Sequence, residues 1–323
     1  MIVPKKVKLE QINCPLKCYP NDKLIFRASD IVYKNKGQFN IVKCNTCGLL
    51  RQNPRPTQKT ISYYYNRTYT PYLSTVIKNK KRDNAGSFRK KIFRPLVRKV
   101  FNFNYNKIPN IKPGNMLEIG CASGSYLKKM SDKGWNVRGI EFSKQATKNS
   151  RNLGFNVHCG SVETLPKSNV RFDLIVGWMV LEHLHKFTDC LRHLKKFSKN
   201  STYLVFSVPN AGSFEFRLFK QYCYHTQVPY HLYFFDPKTL SKLLSTSGWR
   251  IEKIYHQRLL QDVIASLGYF LKFSGYNNFI SKFLIEFPDK AGRWQYLIYP
   301  VAWLLSFFGN TGRMTVWARP VKK

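Results

Sequence analysis

Residues 116–127, Met-Leu-Glu-Ile-Gly-Cys-Ala-Ser-Gly-Ser-Tyr-Leu, constrain this chain more than any other stretch. An apolar strand end runs into Glu118, Gly120 and Gly124 frame a tight turn, and a helical pattern begins at once with Tyr126, Leu127 and Met130. A strand that turns into a helix over two glycines brings backbone close to a ligand. It also leaves the unpaired N–H groups of the first helical turn facing whatever sits above.

Around this unit the pattern alternates between strand and helix. Strands are expected at 115–119, 136–140, 155–159, 172–176, 202–208 and 249–255, and helices at 124–133, from Ser143, from Lys186 and at 237–247. A seventh strand, 313–319, comes after a long excursion. Such alternation predicts an α/β fold, a Rossmann-like, seven-stranded, mostly parallel sheet covered on both faces. The domain is expected to span 109–256 plus 313–320, with a helical insertion at 257–312.

Glu141 lies 21 residues beyond Gly120, at the carboxyl end of the second strand, where an acid can accept hydrogen bonds from two ribose hydroxyls. A nucleoside-containing cofactor across the first two strands follows, and two readings compete. A nicotinamide enzyme prefers Gly-x-Gly-x-x-Gly. This chain has Gly120-x-x-x-Gly124 with Ala122 between, and an acid two residues before the first glycine, which suits an amino group better than a pyrophosphate.

Residues 1–58 carry two close cysteine pairs, Cys14-Pro-Leu-Lys-Cys18 and Cys44-Asn-Thr-Cys47-Gly48, separated by strand-like stretches at 23–27 and 39–42. Four thiolates from two turns close a tetrahedral site, so Cys14, Cys18, Cys44 and Cys47 are expected to hold a structural Zn²⁺ in a small zinc-ribbon-like module. Two pairs of free thiols are the competing reading. Residues 59–108 read as a basic helical linker or cap, with ten Lys or Arg between Lys78 and Lys99 against the single acid Asp83.

The whole chain carries 54 Lys plus Arg against 17 Asp plus Glu, a formal charge of +37. That excess favours anionic partners, whether nucleic acid, an anionic membrane face or a polyanionic glycan, and a general compositional bias would produce it as well. The N-terminus has no apolar core of a secretory signal, which points to the cytoplasm, with peripheral contact at the inner membrane face as a further expectation. The longest apolar run, 296–308, includes Pro300 and is too short to span a bilayer.

The successive segments Leu117-Glu-Ile-Gly-Cys-Ala-Ser-Gly124, Gly139-Ile-Glu-Phe-Ser143, Phe172-Asp-Leu-Ile175 and Val180-Leu-Glu-His183 resemble the ordered motifs of class I S-adenosylmethionine-dependent methyltransferases. The cysteine module, Asn53-Pro-Arg-Pro56, Val208-Pro-Asn210 and Pro229-Tyr-His-Leu232 resemble more narrowly a zinc-headed subset that includes sugar methyltransferases and enzymes of surface-glycan pathways. The resemblance implies that Glu118 and the turn of Gly120, Cys121, Ala122 and Gly124 hold the methionine part of S-adenosyl-L-methionine. It implies that Glu141 binds the ribose and that Ser161 and Val162 cover adenine, with Phe142 and Trp178 completing the set. The family often has an acid directly after the glycine that ends the third strand; here Ser161 and Val162 follow Gly160, with Glu163 one place later.

Methyl transfer from a sulfonium needs alignment, exclusion of water and, for a hydroxyl acceptor, removal of a proton. His183 after the fourth strand and His231 in the loop after the fifth are the candidate bases, with His225 nearby. A capping or bridging role competes for His183. Cys121 and Cys159 read as small apolar filler. Two insertions, 211–236 and 257–312, are expected to select a small-molecule or glycan acceptor. The apolar helical patterns of the second have apolar residues on nearly all sides, which predicts burial or a dimer contact. RNA methylation is the alternative; a non-catalytic cofactor-binding module and a nicotinamide oxidoreductase belong to other classes.

Overall fold

The computed structural model describes residues 3–65 and 101–321; the basic helical segment expected within the linker lies outside them. The N-terminal strands are β1 (Leu9–Glu10), β2 (Asp22–Ser29), β3 (Gln38–Cys44), β4 (Leu50–Gln52) and β5 (Arg55–Pro56). Then follow β6 (Asn115–Ile119), α1 (Ser125–Ser131), β7 (Asn136–Glu141), α2 (Lys144–Asn152), β8 (Asn156–Cys159), β9 (Phe172–Trp178), α3 (Phe187–Lys195) and β10 (Ser198–Pro209). The C-terminal part comprises α4 (Phe214–Phe219), β11 (Tyr233–Phe234), α5 (Pro237–Thr246), β12 (Trp249–His256), α6 (Gln261–Phe273), α7 (Phe279–Lys290), α8 (Trp294–Leu297), α9 (Tyr299–Phe307) and β13 (Arg313–Pro320).

Seven of these strands form one sheet in the order β12-β13-β10-β9-β6-β7-β8, with β13 antiparallel to both neighbours. This is the expected mostly parallel sheet. Side chains alternate between its faces: Met116 packs with Leu174, Val176 and Val205 on one side, Leu117 and Ile119 with Ile175, Leu204 and Phe206 on the other. Both faces are covered, and for that reason β6 and β9 read as continuous apolar runs. After β6 the chain winds outward through β7 and β8, then returns to β6's other side as β9. The crevice beyond the carboxyl ends at this reversal is where open α/β sheets bind ligands.

Local signals place the helices. Ser143 caps α2 by accepting from the Ala146 N–H at 3.3 Å. Asp236 and Thr239 form a reciprocal cap on α5, with Pro237 in its first turn. Such caps contribute about 1 kcal/mol each.

The cysteine module does not stand alone. Its sheet runs β11-β4-β3-β2, so the last strand is supplied by the segment after β10. Buried Arg55 binds Glu10 of the module at 2.9 Å, the Tyr233 hydroxyl at 3.0 Å and the His185 carbonyl at 3.1 Å. The Leu232 N–H donates to the Glu182 carbonyl, and the Gln52 N–H to the Leu232 carbonyl. The loop carrying His231 is therefore clamped between the module and the end of β9.

The insertion between β12 and β13 differs from expectation. Helix α7 was not foreseen; an Asn278–Ser281 capping box starts it, and Pro288 falls in its last turn. Burial of the last apolar stretch holds for Tyr299 and Ala302 only in part of α9, because Leu297, Leu304, Phe307 and Phe308 face solvent. Among the described residues no helix is long and apolar enough to cross a membrane.

Candidate active site

Beyond the carboxyl ends of β6, β7, β9 and β10 lies a cavity of about 980 Å³. Every cofactor residue expected from the sequence lines it except Gly124. Gly124 sits behind the turn in the left-handed conformation (φ +84°) and caps α1; a Cβ there would press on Ser150 and Phe155. Gly120 (φ +67°) is required for closeness, since a Cβ would meet Val180 at 2.5 Å. Cys121 presents backbone to the cavity while its thiol packs into the core, where a Cβ on Gly139 would touch it at 2.6 Å.

Two acids face each other across the turn. Glu141 accepts from the Ala122 N–H at 2.9 Å and the Ser143 N–H at 2.8 Å, so it holds the glycine turn in place. Burial raises its pKa against those two bonds. Glu118 is buried, and its Oε2 has no hydrogen-bond partner among the described residues. Burial first, then the nearby Glu141, push it up to about 8. A buried carboxylate oxygen with nothing to bind is costly, and an ammonium group is the complement that would restore its charge. The buried indole N–H of Trp178, at the end of β9, also lacks an acceptor among the described residues. These donors and acceptors suit the amino acid portion of S-adenosylmethionine, as the free hydrogen-bonding capacity of Glu141 suits a ribose. Phe142 is exposed at the rim, Ser161 starts a single helical turn reciprocally capped by Thr164, and Val162 is buried beneath it.

The other end of the cavity is assembled from distant segments. The His183 and His231 rings meet edge to face with centroids 4.8 Å apart. His183 Nδ1 lies 3.0 Å from the Tyr230 carbonyl and His231 Nδ1 2.8 Å from the His225 carbonyl. A carbonyl only accepts, so each Nδ1 carries the proton and each Nε2 keeps its lone pair. Burial holds His183 down at about 4 and His231 well below its ordinary value, the neighbouring His183 adding to the latter, so both are neutral near pH 7. The Tyr65 hydroxyl also approaches His183 Nδ1 at 3.1 Å. Glu182, fully buried, has neither carboxylate oxygen hydrogen-bonded among the described residues, and one lies 4.0 Å from His231 Nε2. Burial pushes it up to about 8. Met179, between Trp178 and Val180, adopts a left-handed conformation (φ +54°) and lines the same wall, a strained backbone position of the kind that clusters at functional sites.

Beside this pair is a buried charged network that sequence reasoning missed. Asp262 of α6 accepts from Arg313 Nη2 at 3.1 Å, and its other oxygen lies at ion-pair distance from Arg313 Nε, 3.0 Å, and His225 Nε2, 3.2 Å. Burial would raise its pKa, yet Arg313 and His225 hold the carboxyl well below the usual range. Glu215 lies close by, bonded through one oxygen to Ser266 at 2.8 Å, with the other unpartnered among the described residues. Arg313, His225, Gln257 and Tyr224 line the cavity. A faint signal was present: in a chain with 17 acids, Asp262 and Glu215 each sit in an apolar helical pattern where an unpaired charge has no reason to be.

In the N-terminal module the Cys14, Cys18, Cys44 and Cys47 sulfurs all lie within 4.8 Å of one another, with Cys14 and Cys47 3.5 Å apart. Tetrahedral zinc with bonds of about 2.3 Å places its sulfurs about 3.8 Å apart, so the set fits the metal.

The chain is similar to several known proteins. The ubiquinone biosynthesis O-methyltransferase of Coxiella burnetii is 28% identical over 120 residues, 35% of this chain and 49% of the relative. The malonyl-[acyl-carrier protein] O-methyltransferase of Buchnera aphidicola is 29% identical over 124 residues, 38% of this chain and 50% of the relative. The chain thus spans about half the length of the curated relatives it matches. Among solved structures, the plantazolicin methyltransferase BpumL with SAH aligns at a TM-score of 0.45 and 15% identity, covering 81% of this chain and 94% of that one. The profile of a family described as methyltransferase domain matches residues 88–254, just over half of the chain, and with the ordered motifs and the sheet that carries them this protein belongs to that family.

Proposed function

We propose that this protein transfers a methyl group from S-adenosyl-L-methionine to a hydroxyl of a sugar, glycan or related small-molecule intermediate. The observation that carries the reading is the pairing, within one cavity, of Glu118 and Glu141 at one end with two neutral histidines at the other. When bound, the cofactor would supply an electrophilic methyl group for in-line displacement. Glu118 meets the amino group, Glu141 the ribose hydroxyls, and the glycine turn lets the backbone approach. His231 or His183 receives the acceptor's proton at Nε2, the nitrogen that the backbone carbonyls leave free. Arg313, Tyr224 and Gln257 offer polar contacts suited to an acceptor rich in hydroxyls.

A methylated carbon is the variant of this reading, and RNA the alternative; a deep cavity walled by the 211–236 insertion supports a small acceptor. The four cysteines are proposed to bind a structural Zn²⁺ that steadies the module and, through β4 and β11, the His231 loop.

Titration of S-adenosylmethionine into the purified chain tests the cofactor, and labelled cofactor incubated with sugar-nucleotide, glycan, lipid and RNA pools tests the acceptor. Saturable binding lost in Glu141→Ala, with label entering a glycan or sugar pool, is expected. Absence of binding, or equal binding by Glu141→Ala, overturns the cofactor assignment. Label confined to RNA overturns the acceptor class.

A further inference from the structure

The most prominent feature outside the cavity lies on α8 and α9. From Trp294 to Asn310 the sequence contains no charged residue. Trp294, Leu297, Val301, Leu304 and Phe308 follow the three- and four-residue spacing of one helical face, and all five are exposed, Leu297 at 70% and Phe308 at 66%. Phe307 extends the stripe at 77%. The opposite side is fixed to the protein: Tyr299 packs on Phe101 and Phe103, and its hydroxyl bonds Arg258 at 2.8 Å. The stripe is therefore held outward by a well-packed base. A contiguous uncharged aromatic face of this kind marks an interaction surface.

We infer that this face docks in the plane of an anionic lipid bilayer. Charge decides between a bilayer and a second copy of the chain. At +37 two copies repel, whereas an anionic headgroup layer attracts the same charge. The chemistry of the stripe agrees, since tryptophan and phenylalanine favour the boundary between headgroups and acyl chains. Its length is compatible with contact in the membrane plane, because a stretch of helix this short cannot cross a bilayer. The stripe is also joined to the cavity wall. The Asn210 side chain at the end of β10 donates to the carbonyls of Gly309 and Thr311, which join the stripe to Arg313 at the inner end of the cavity.

The test is co-sedimentation of the full chain with vesicles of phosphatidylcholine alone and of phosphatidylcholine with phosphatidylglycerol, alongside the double variant Leu304→Glu/Phe308→Glu. The wild type is expected to bind the anionic vesicles at least tenfold more tightly than the neutral ones, with a blue shift in tryptophan emission. The double variant is expected to lose at least tenfold of that affinity while keeping its melting temperature and cofactor affinity. Three results overturn the inference: no vesicle binding by the wild type, equal binding by the double variant, or dimerisation of the wild type without lipid that the variant abolishes.

Discussion

The two ends of the cavity are built on opposite plans. The centre of the proposed cofactor end comes from one short span of chain, residues 118–142, in which a strand end, a glycine turn and the next strand end bring Glu118, Gly120 and Glu141 together, with Ser161, Val162 and Trp178 added from the following strands. The acceptor end draws Tyr65, His183, His231, Asp262 and Arg313 from segments far apart in sequence. The first is fixed largely by backbone geometry and tolerates change in its surroundings. The second exists only while several independent contacts hold, among them the β4–β11 pairing and the Asp262–Arg313 ion pair. Perturbation should therefore separate the two ends cleanly.

The largest effect is expected from His231→Ala and His183→Ala. Loss of a general base lowers kcat about 10²- to 10⁴-fold. Cofactor affinity measured by calorimetry should stay within a few-fold of wild type, and a matching loss of affinity would merge the two ends into one unit. Next comes Asp262→Asn, which leaves the largely covered Arg313 without its counter-charge and should cost about 2–3 kcal/mol in unfolding free energy. Denaturant unfolding checks this. Because the Asp262 carboxyl is held low, its contribution is present at neutral pH and is lost as pH falls through the acid range, so the wild type and variant should converge there.

A somewhat smaller effect is expected at the cofactor end from Glu141→Ala, which removes an acceptor for the ribose hydroxyls and the brace on the Ala122 and Ser143 N–H groups. Cofactor affinity should fall about 10²-fold, from hydrogen bonds to a charged group of about 1.5–3 kcal/mol each. Acceptor KM should change little.

The smallest effect is a proton count. Glu118 titrates at about 8 in the cofactor-free protein, so at pH 7 it is mostly protonated, and pairing with an ammonium would ionise it. Binding should then release close to one proton, visible as a dependence of calorimetric enthalpy on buffer ionisation heat, and Glu118→Gln should abolish that release. The same shift sets a sign for stability. Glu118 and Glu182 bind protons more tightly folded than unfolded, so their contribution is full below the ordinary carboxylate range and is lost as pH rises towards 8. His183 and His231 work the other way, but unfolded histidine has largely finished titrating about one unit above its ordinary value of about 6.5, so their contribution is nearly flat above about pH 7.5. Between pH 7.5 and 9 the cofactor-free protein should therefore lose about 1 kcal/mol for each glutamate, a slope read by thermal unfolding. A melting temperature flat over that window would remove the premise that Glu118 awaits a cation.

The central strands β6, β9 and β10 were legible because each carries an apolar run and is buried on both faces, while the edge strand β12 showed as alternation of apolar and polar residues. The residues proposed to hold the cofactor stood out because Glu118 and Glu141 are acids at strand ends in a chain where acids are scarce. Helix α7 escaped because Pro288 interrupts its pattern, and β11 because two residues carry no period. The Asp262–Arg313–His225 network escaped for a different reason: ion pairs between residues 37 and 51 positions apart leave no local trace.

The sequence by itself determined the parallel sheet, the glycine turn, the two acids at its strand ends and the two cysteine pairs, because each depends on neighbours within a few residues or on periodicity. Only the tertiary structure decided that β11 completes the cysteine module's sheet and so positions His231. It alone decided that the two histidines meet with their Nε2 atoms free, and that one face of the apolar α8–α9 stretch is left outside the core. Hydrophobic pattern states that a residue avoids water; which neighbour covers it is settled by packing between distant segments, and on that face no described residue does.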